Sequence, residues 1–437
     1  ASALNGTRPL GLTPTAGWQS IELMTQGDDL TGLADPGYGS SISYSRYDGL
    51  GIYRNGSDLT VWMNHESTPA SISRIELDHV ALQQQIDDTI AGGPGAFTPV
   101  IGVGFAYDKI FDGSYHSQNA PLPSAIGVAQ VAAYGADNFA RFCSGTSHGV
   151  EAFGIGRGFV DSIYLTGEEV LDGKFYALDE TTRTLWEAPD LGLGAWENAA
   201  AVDTGETDHV ALVLNSDVGD DPGDYLQLYV GRKGDDANGD GQIDFLERNG
   251  LRGGEVYYFR PSEGASTTDL PDGPVAGSWS SSTSGALLET KLEDIHTNPL
   301  NGSQLVFADQ DDGVYRLDAP LAFTAAGAFD PSQSPVSILQ IDDDEVRPLG
   351  APDNLTWSRD GYVYVQEDGD GDQIFRMNPD GSGLTAIAAA RSEPSGIIDA
   401  SVELGYLPGS VLLTSLQGSS GRGAQLGLLV APDAAAI

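Results

Sequence analysis

The stretch PDNLTWSRDGYVYVQED at residues 352–368, continued by QIFRMN at 373–378, decides the fold. It opens on an acid–amide pair, Asp353-Asn354, enters a short strand-forming run, and turns at Asp360-Gly361. A second run alternates through Tyr362 to Val365 and ends on Glu367, and a third carries Phe375-Arg376. Period-two alternation broken by an Asp-Gly turn is a hairpin signal. The stretch KLEDIHTNPLNGSQLVFAD at 291–309, continued by GVYRLD at 313–318, repeats the order: acid pair Glu293-Asp294, turn Asn301-Gly302, strand ending at Asp309, then Tyr315-Arg316. A repeat of roughly 45–60 residues is the span of one four-stranded propeller blade.

Working outward, second strands are predicted to end at Glu66, Glu169, Asp217, Asp309 and Glu367, with Val411 to Ser415 as a sixth. The expected fold is therefore all-β: a single β-propeller over residues 1–437, six-bladed, with loop and short helical insertions. Leu77 to Ile90 is predicted as an inserted helix. Tyr225 to Val230 and Gly254 to Phe259 read as a hairpin with a polar insertion over 231–253 at its tip. Residues 261–285, rich in Ser, Gly, Thr and Pro, read as loop.

The chain has 63 acidic and 21 basic side chains, a formal net charge of −42. Such a charge repels nucleic acid and anionic membranes, which are excluded as expected partners. No apolar run reaches the roughly 18 residues that span a bilayer. The beginning, ASALNGTRPL, resembles a mature terminus after signal-peptide removal, so a secreted protein, extracellular or periplasmic, is expected. Salt adaptation is one account of the acidity; cation binding is another, and the two are compatible.

Blade repetition brings equivalent positions of different blades around one axis. Acids at second-strand ends, and the pairs Glu197-Asn198, Glu293-Asp294 and Asp353-Asn354 at first-strand starts, are then expected to crowd, and crowded carboxylates stay ionised only with cations. Oxygen clusters suit Ca²⁺. The single cysteine, Cys143, cannot form an internal disulfide, and a thiolate among carboxylates favours a transition metal such as iron. Solvated turn acids remain the plain alternative.

In chain order, Asn64-His65-Glu66, Arg141-Phe142-Cys143-Ser144-Gly145, Gly167-Glu168-Glu169, Trp196-Glu197-Asn198, Leu292-Glu293-Asp294, Asp353-Asn354-Leu355 and Gln366-Glu367-Asp368 resemble the motifs of the PhoX-like alkaline phosphatases. These are secreted calcium- and iron-dependent propellers, and the chain looks like a divergent branch of them. The resemblance implies a phosphoester hydrolase whose mixed Ca²⁺/Fe³⁺ cluster lies at one end of the propeller axis and takes a small phosphoester substrate. It implies Cys143 and one of Glu197 and Asn198 on iron. Glu66, Glu168, Glu169, Glu293 and Asp294 become ligands to iron or calcium, and Asp353 and Glu367 further metal ligands. Lys291 and Arg141 become the residues that stabilise developing charge on phosphate. Two motifs depart from the family: His-Glu is replaced by Glu197-Asn198, and Lys291 stands where the family has arginine, leaving a point charge without a bidentate fork.

Independently, DANGDGQIDFLE at 236–247 matches an EF-hand loop at every ligand position: Asp236, Asn238, Asp240, the Gln242 carbonyl, Asp244 and Glu247. A structural calcium is expected there. Asp368-Gly-Asp-Gly-Asp372 lacks the later ligands and reads as an acidic turn. His65 is expected to orient Glu66. His116, His148 and His209 lack ligand spacing, Ser144 lacks a base, and Arg46, Arg54 and Arg376 read as blade supports. The rival to the enzyme is a non-catalytic, calcium-stabilised extracellular binding or surface-assembly propeller.

Overall fold

Short strand-forming segments, several of them buried along their whole length, form meandering antiparallel sheets. The computed structural model describes residues 9–33, 35–36, 45–93, 95, 99–111, 139–217, 224–270, 272–289, 291–343, 348–368, 372–418 and 422–437. His116, and the middle of the 368–372 turn, lie outside the described residues. The chain divides into two compact units, residues 1–106, 127–144 and 353–437, and residues 107–126 and 145–352.

The first unit contains three meanders. Tyr47–Asn55, Asp58–His65, Ser71–Asp78 and Val100–Phe105 pair in chain order, with Asp35–Pro36 added in parallel at the edge. The tip between the first two is the two-residue loop Gly56-Ser57, and Gly56 takes φ 63°, a left-handed conformation that costs glycine little. Pro352–Trp357, Val363–Glu367, Gln373–Met377 and Thr385–Ala390 form the second, extended by Leu12–Pro14. Pro394–Asp399, Val411–Leu416 and Gln425–Val430 form the third, completed by the early strand Gln19–Thr25. Leu23, Met24, Val61, Met63, Leu413 and Leu428 are among its fully or nearly fully buried core.

The second unit contains three more. Phe142–His148 enters it from the first unit and is followed by Ile163–Gly173, Phe175–Asp179 and Thr184–Glu187, with Lys109–Phe111 parallel at the edge. Gly194–Val202, His209–Ser216, Gln227–Arg232 and Glu255–Pro261 follow, then Leu292–Thr297, Gln304–Asp309, Gly313–Asp318 and Pro335–Asp343. Trp196, Leu212, Phe307 and Leu317 sit in its interior. Every predicted second strand is present.

Two local expectations are corrected. The helix spans His79–Ile90, because Leu77 and Asp78 still pair in the preceding strand; Asp78 then caps the helix by accepting from the Ala81 amide. Residues 261–285 are not all loop: Val275–Ser280 pairs with Glu255–Pro261 and Pro335–Asp343. Its small polar residues hide a strand anchored by one buried aromatic, Trp279.

The meanders are tied by amides near the ends of second strands. Asn215 Nδ2 donates 2.8 Å to the Glu293 carbonyl, and Asn64 Nδ2 donates to the carbonyls of Cys143 and Ser144 at 2.8 and 2.9 Å. Asn215 thereby reaches the first strand of another meander of the second unit, and Asn64 the part of strand Phe142–His148 that belongs to the first. Asn215→Ala should lower stability by about 1–3 kcal/mol, since it leaves a buried carbonyl unpaired. Leu300→Ala, at a position 65% exposed, should leave the melting temperature nearly unchanged. Thermal unfolding checks both.

Candidate metal centre

One structural device recurs where first strands begin: an extra residue on the first strand relative to its partner. Among the described residues the register shifts between Tyr47 and Leu50 and between Pro394 and Gly396 in the first unit. In the second it shifts between Trp196 and Asn198 and between Leu292 and Ile295. A bulge re-aims side chains that strict alternation would send to opposite faces. Asp48, Glu197, Glu293 and Asp294 all lie in these bulges.

In the second unit, Glu169 and Glu197 offer carboxylate oxygens within 4.8 Å of one another, as do Glu197 and Glu293. All three are buried, Glu197 completely. Burial, then the carboxylates of Glu197 and Asp217, push Glu293 well above the ordinary carboxylate range, with the Lys291 ammonium opposing. Lys291 Nζ sits 3.1 Å from Asp217 Oδ2 and 3.9 Å from Glu293 Oε1. Burial works against its charge, but Asp217 and Glu293 hold its pKa above the usual lysine value. Asn198 donates to Thr146 Oγ1 at 2.8 Å and Asp294 Oδ1 at 2.6 Å, and its own carbonyl oxygen accepts from the Ala199 amide. It therefore positions Asp294.

The paired acids at second-strand ends divide their work. Glu168 Oε2 accepts from the Lys174 amide at 3.2 Å, while its neighbour Glu169 reaches Glu197. In the first unit Glu367 Oε2 accepts from the Gln373 amide at 3.0 Å, again six residues on. Its neighbour Asp368 joins Asp353 and Glu393, with ligand oxygens within 4.8 Å of one another. The structural counterpart of Glu169 is thus Asp368 rather than Glu367. Burial and then Asp368 raise Glu393 to about 7.

Cys143 is buried in the first unit, its Sγ 3.7 Å from Asp48 Oδ2. Gln417 Nε2 donates to that same oxygen at 2.9 Å and to Glu66 Oε2 at 2.7 Å. Glu66 also receives Arg46 Nη1 on both oxygens at 3.1 and 3.2 Å, and Arg141 Nη2 at 2.7 Å. Arg46 therefore belongs to this network rather than serving only as a blade support. The side chains of Arg46 and Arg141 are half exposed. His65 turns to Ser45 and Ser73 instead of Glu66: the Ser45 carbonyl can only accept, so Nδ1 carries the proton and Nε2 accepts from the Ser73 hydroxyl. Burial lowers its pKa to about 4, keeping the ring neutral.

Register makes the cations equivalent. Arg46, Arg141 and Lys291 each immediately precede or closely precede the first strand of a meander, and Arg46 and Arg141 both take positive φ, 50° and 48°. The expected ligands and charge-stabilising residues left out Arg46, Asp48, Glu393 and Gln417, and Asp368 entered only as a motif residue and part of an acidic turn. Asp48 and Arg46 were findable, since they occupy the bulge position and the position before it.

The EF-hand-like segment lies between Gln227–Arg232 and Glu255–Pro261. Asp236 accepts from the amides of Asp240 and Gly241 at 3.0 and 2.9 Å, and Asp240 Oδ1 from Gln242 at 2.8 Å. Glu247 accepts from Asn238 and Asp244 at 3.1 and 3.0 Å, while Asp244 caps the helix Phe245–Arg248. These bonds wrap the loop upon itself, with Gly241 at φ 81°.

Neighbouring carboxylate donors in each unit fit hard divalent cations, and the Cys143 thiol beside Asp48 fits a softer metal. Raised carboxyl pKa values fix a pH dependence. Folded Glu393 and Glu293 hold protons that unfolded glutamates have released, so the folded state binds more protons and stability falls as pH rises. Metal-stripped protein should melt at a lower temperature at pH 8 than at pH 5.5, and added calcium should recover more at pH 8. Scanning calorimetry at the two pH values measures both.

No protein-family model matches the chain, and no curated protein does. Among solved structures, Pseudomonas fluorescens PhoX in complex with vanadate, described as a transition state analogue, aligns over 99% of this chain and 97% of its own, with 12% identity and a TM-score of 0.61. The PQQ-bound aldose sugar dehydrogenase of Streptomyces coelicolor covers 96% and 99% with 14% identity, at a TM-score of only 0.35. The propeller domain of the Trilobed protease of Pyrococcus furiosus covers 90% and 97% with 6% identity, at 0.35. The likeness to PhoX, with the six strand meanders of the described residues, shows the fold: the chain is an all-β protein of the β-propeller class.

Proposed function

We propose that the chain is a secreted, metal-dependent phosphoester hydrolase, whose cations are held by the buried carboxylates of its units. The observation that carries this reading is electrostatic. Buried Glu197 lies within a few ångströms of both Glu169 and Glu293, themselves buried, and buried Asp353 lies as near to the partly buried Asp368 and Glu393. Like charges so placed are stable together only when protonated or neutralised by cations. The fold likeness to PhoX, a protein solved with vanadate, supports phosphoester chemistry as the use of those cations.

Calcium and iron, when bound, supply Lewis acidity toward phosphate oxygens. Glu169, Glu197 and Glu293 would hold one set, with Asp294 kept in place by Asn198. Asp353, Asp368 and Glu393 would hold another. Cys143 supplies the sulfur donor that suits iron, and Asp48 lies beside it. Arg141 and Arg46 present guanidinium groups braced by Glu66, and Lys291 an ammonium braced by Asp217. Braced cations bind an anionic substrate and stabilise charge that grows on phosphate without reorganising at the moment of reaction. They also explain how a protein of net charge −42 accepts an anion. The loop 236–247 would take a structural calcium apart from this chemistry.

A second reading rests on Glu66, whose oxygens are already engaged by Arg46, Arg141 and Gln417. In it the acids serve a calcium-stabilised extracellular binding propeller without catalysis.

Hydrolysis of p-nitrophenyl phosphate by the purified protein separates the two. Activity should vanish after thorough chelation and return with calcium; activity that survives chelation unchanged, or none in any metal-loaded state, overturns the hydrolase. Arg141→Ala should lower kcat by about 10²-fold or more, with little change in melting temperature. Asp240→Ala should remove one calcium per chain and leave hydrolysis in place.

A further inference from the structure

A third group of carboxylates lies in the second unit, among residues that the proposed hydrolase does not use. Glu289, Asp309 and Asp312 offer ligand oxygens within 4.8 Å of one another. They come from separate elements. Glu289 ends the short strand Leu288–Glu289, which pairs with Asp224–Tyr225. Asp309 ends Gln304–Asp309, and Asp312 lies in the turn that follows.

The turn is built to aim one oxygen inward. Asp309 Oδ1 accepts from the amides of Asp311 and Asp312 at 3.0 and 3.2 Å. Its other oxygen, Oδ2, is buried and has no hydrogen-bond partner among the described residues; Glu289 Oε1 is in the same position. The two residues are 1% and 7% exposed. Gln340 Nε2 fixes the turn from outside, donating 2.9 Å to the Asp312 carbonyl and 3.2 Å to the Tyr315 hydroxyl. Gly313 follows at φ 125°, and a Cβ there would lie 2.2 Å from the Asp342 carbonyl oxygen, so the turn has one backbone path.

A buried carboxylate oxygen that meets neither water nor a donor is costly, and two facing each other are costlier. Burial and the neighbouring acids raise both Glu289 and Asp309 to about 8. We propose that Glu289, Asp309 and Asp312 form a further divalent-cation site, taking Ca²⁺ and locking the strand Leu288–Glu289 onto the 309–312 turn. An all-oxygen set of three carboxylates, with neither nitrogen nor sulfur, selects a hard cation. Calcium tolerates irregular oxygen sets and dehydrates more readily than magnesium. The site does not depend on hydrolysis, so its test is independent of that reading.

The experiment compares the full chain with the double variant Glu289→Gln/Asp309→Asn, measuring calcium by equilibrium dialysis and melting temperature with and without calcium. The isosteric amides remove the repulsion together with the ligands. Without calcium the variant should melt higher than the unaltered protein. With calcium the order should reverse, because only the unaltered site gains binding energy, and the variant should hold one calcium fewer per chain. Equal calcium content in the two proteins overturns the proposal. So does a variant that melts higher under both conditions, which would show a pair of protonated acids and no cation. Should the double variant fail to fold, Asp312→Asn, at the less buried ligand, carries the same comparison: one calcium fewer supports the site and unchanged content refutes it. Magnesium replacing calcium at equal affinity contradicts the choice of ion.

Discussion

The structure turns on an electrostatic constraint: carboxylates are buried near one another, and the backbone holds them there. A strand alternates its side chains, so neighbouring acids would ordinarily face opposite ways. The extra residue at the start of first strands breaks that alternation at Asp48, Glu197 and Glu293-Asp294. The amides Asn64 and Asn215 then clasp the carbonyls beside these positions. Packing of the meanders supplies the stability that such placement consumes. Local frustration of this sort persists only where the surrounding fold over-determines it, and it marks functional sites.

Charge recurs at matching strand positions in the two units. Arg46, Arg141 and Lys291 stand just before first strands, each beside an acid that fixes it. Glu168 and Glu367 spend an oxygen on a backbone amide, which frees the adjacent Glu169 and Asp368 for their clusters. The same division of labour in two meanders, one in each unit, is evidence of a repeated device. The neutral histidines His65, His148 and His296, all lowered to about 4 by burial, belong to the packing instead.

The repeat was legible in the sequence because hairpin turns and period-two alternation are local properties. Asp360-Gly361 and Asn301-Gly302 mark turns wherever they occur, and every second strand predicted from them exists. Val275–Ser280 was not legible, since its strand character comes from partners on both sides. Of the sites, the acid pairs could be read by position, but their orientation could not. Glu367 and Asp368 look interchangeable in a string of letters; only the amide of Gln373 shows which one turns away. Gln417 was missed because it meets Glu66 from a distant part of the chain, and nothing local to it announces the contact.

A calcium-stabilised scaffold and a hydrolase would share most of these acids. They differ over the thiol, since Cys143 beside Asp48 adds nothing to calcium binding and suits iron. Elemental analysis of the purified protein and of Cys143→Ala therefore tests the central claim most directly. The account predicts calcium together with iron in the unaltered chain, and loss of iron with retention of calcium in the variant. Calcium alone in the unaltered chain, or iron that persists without the thiol, would contradict it.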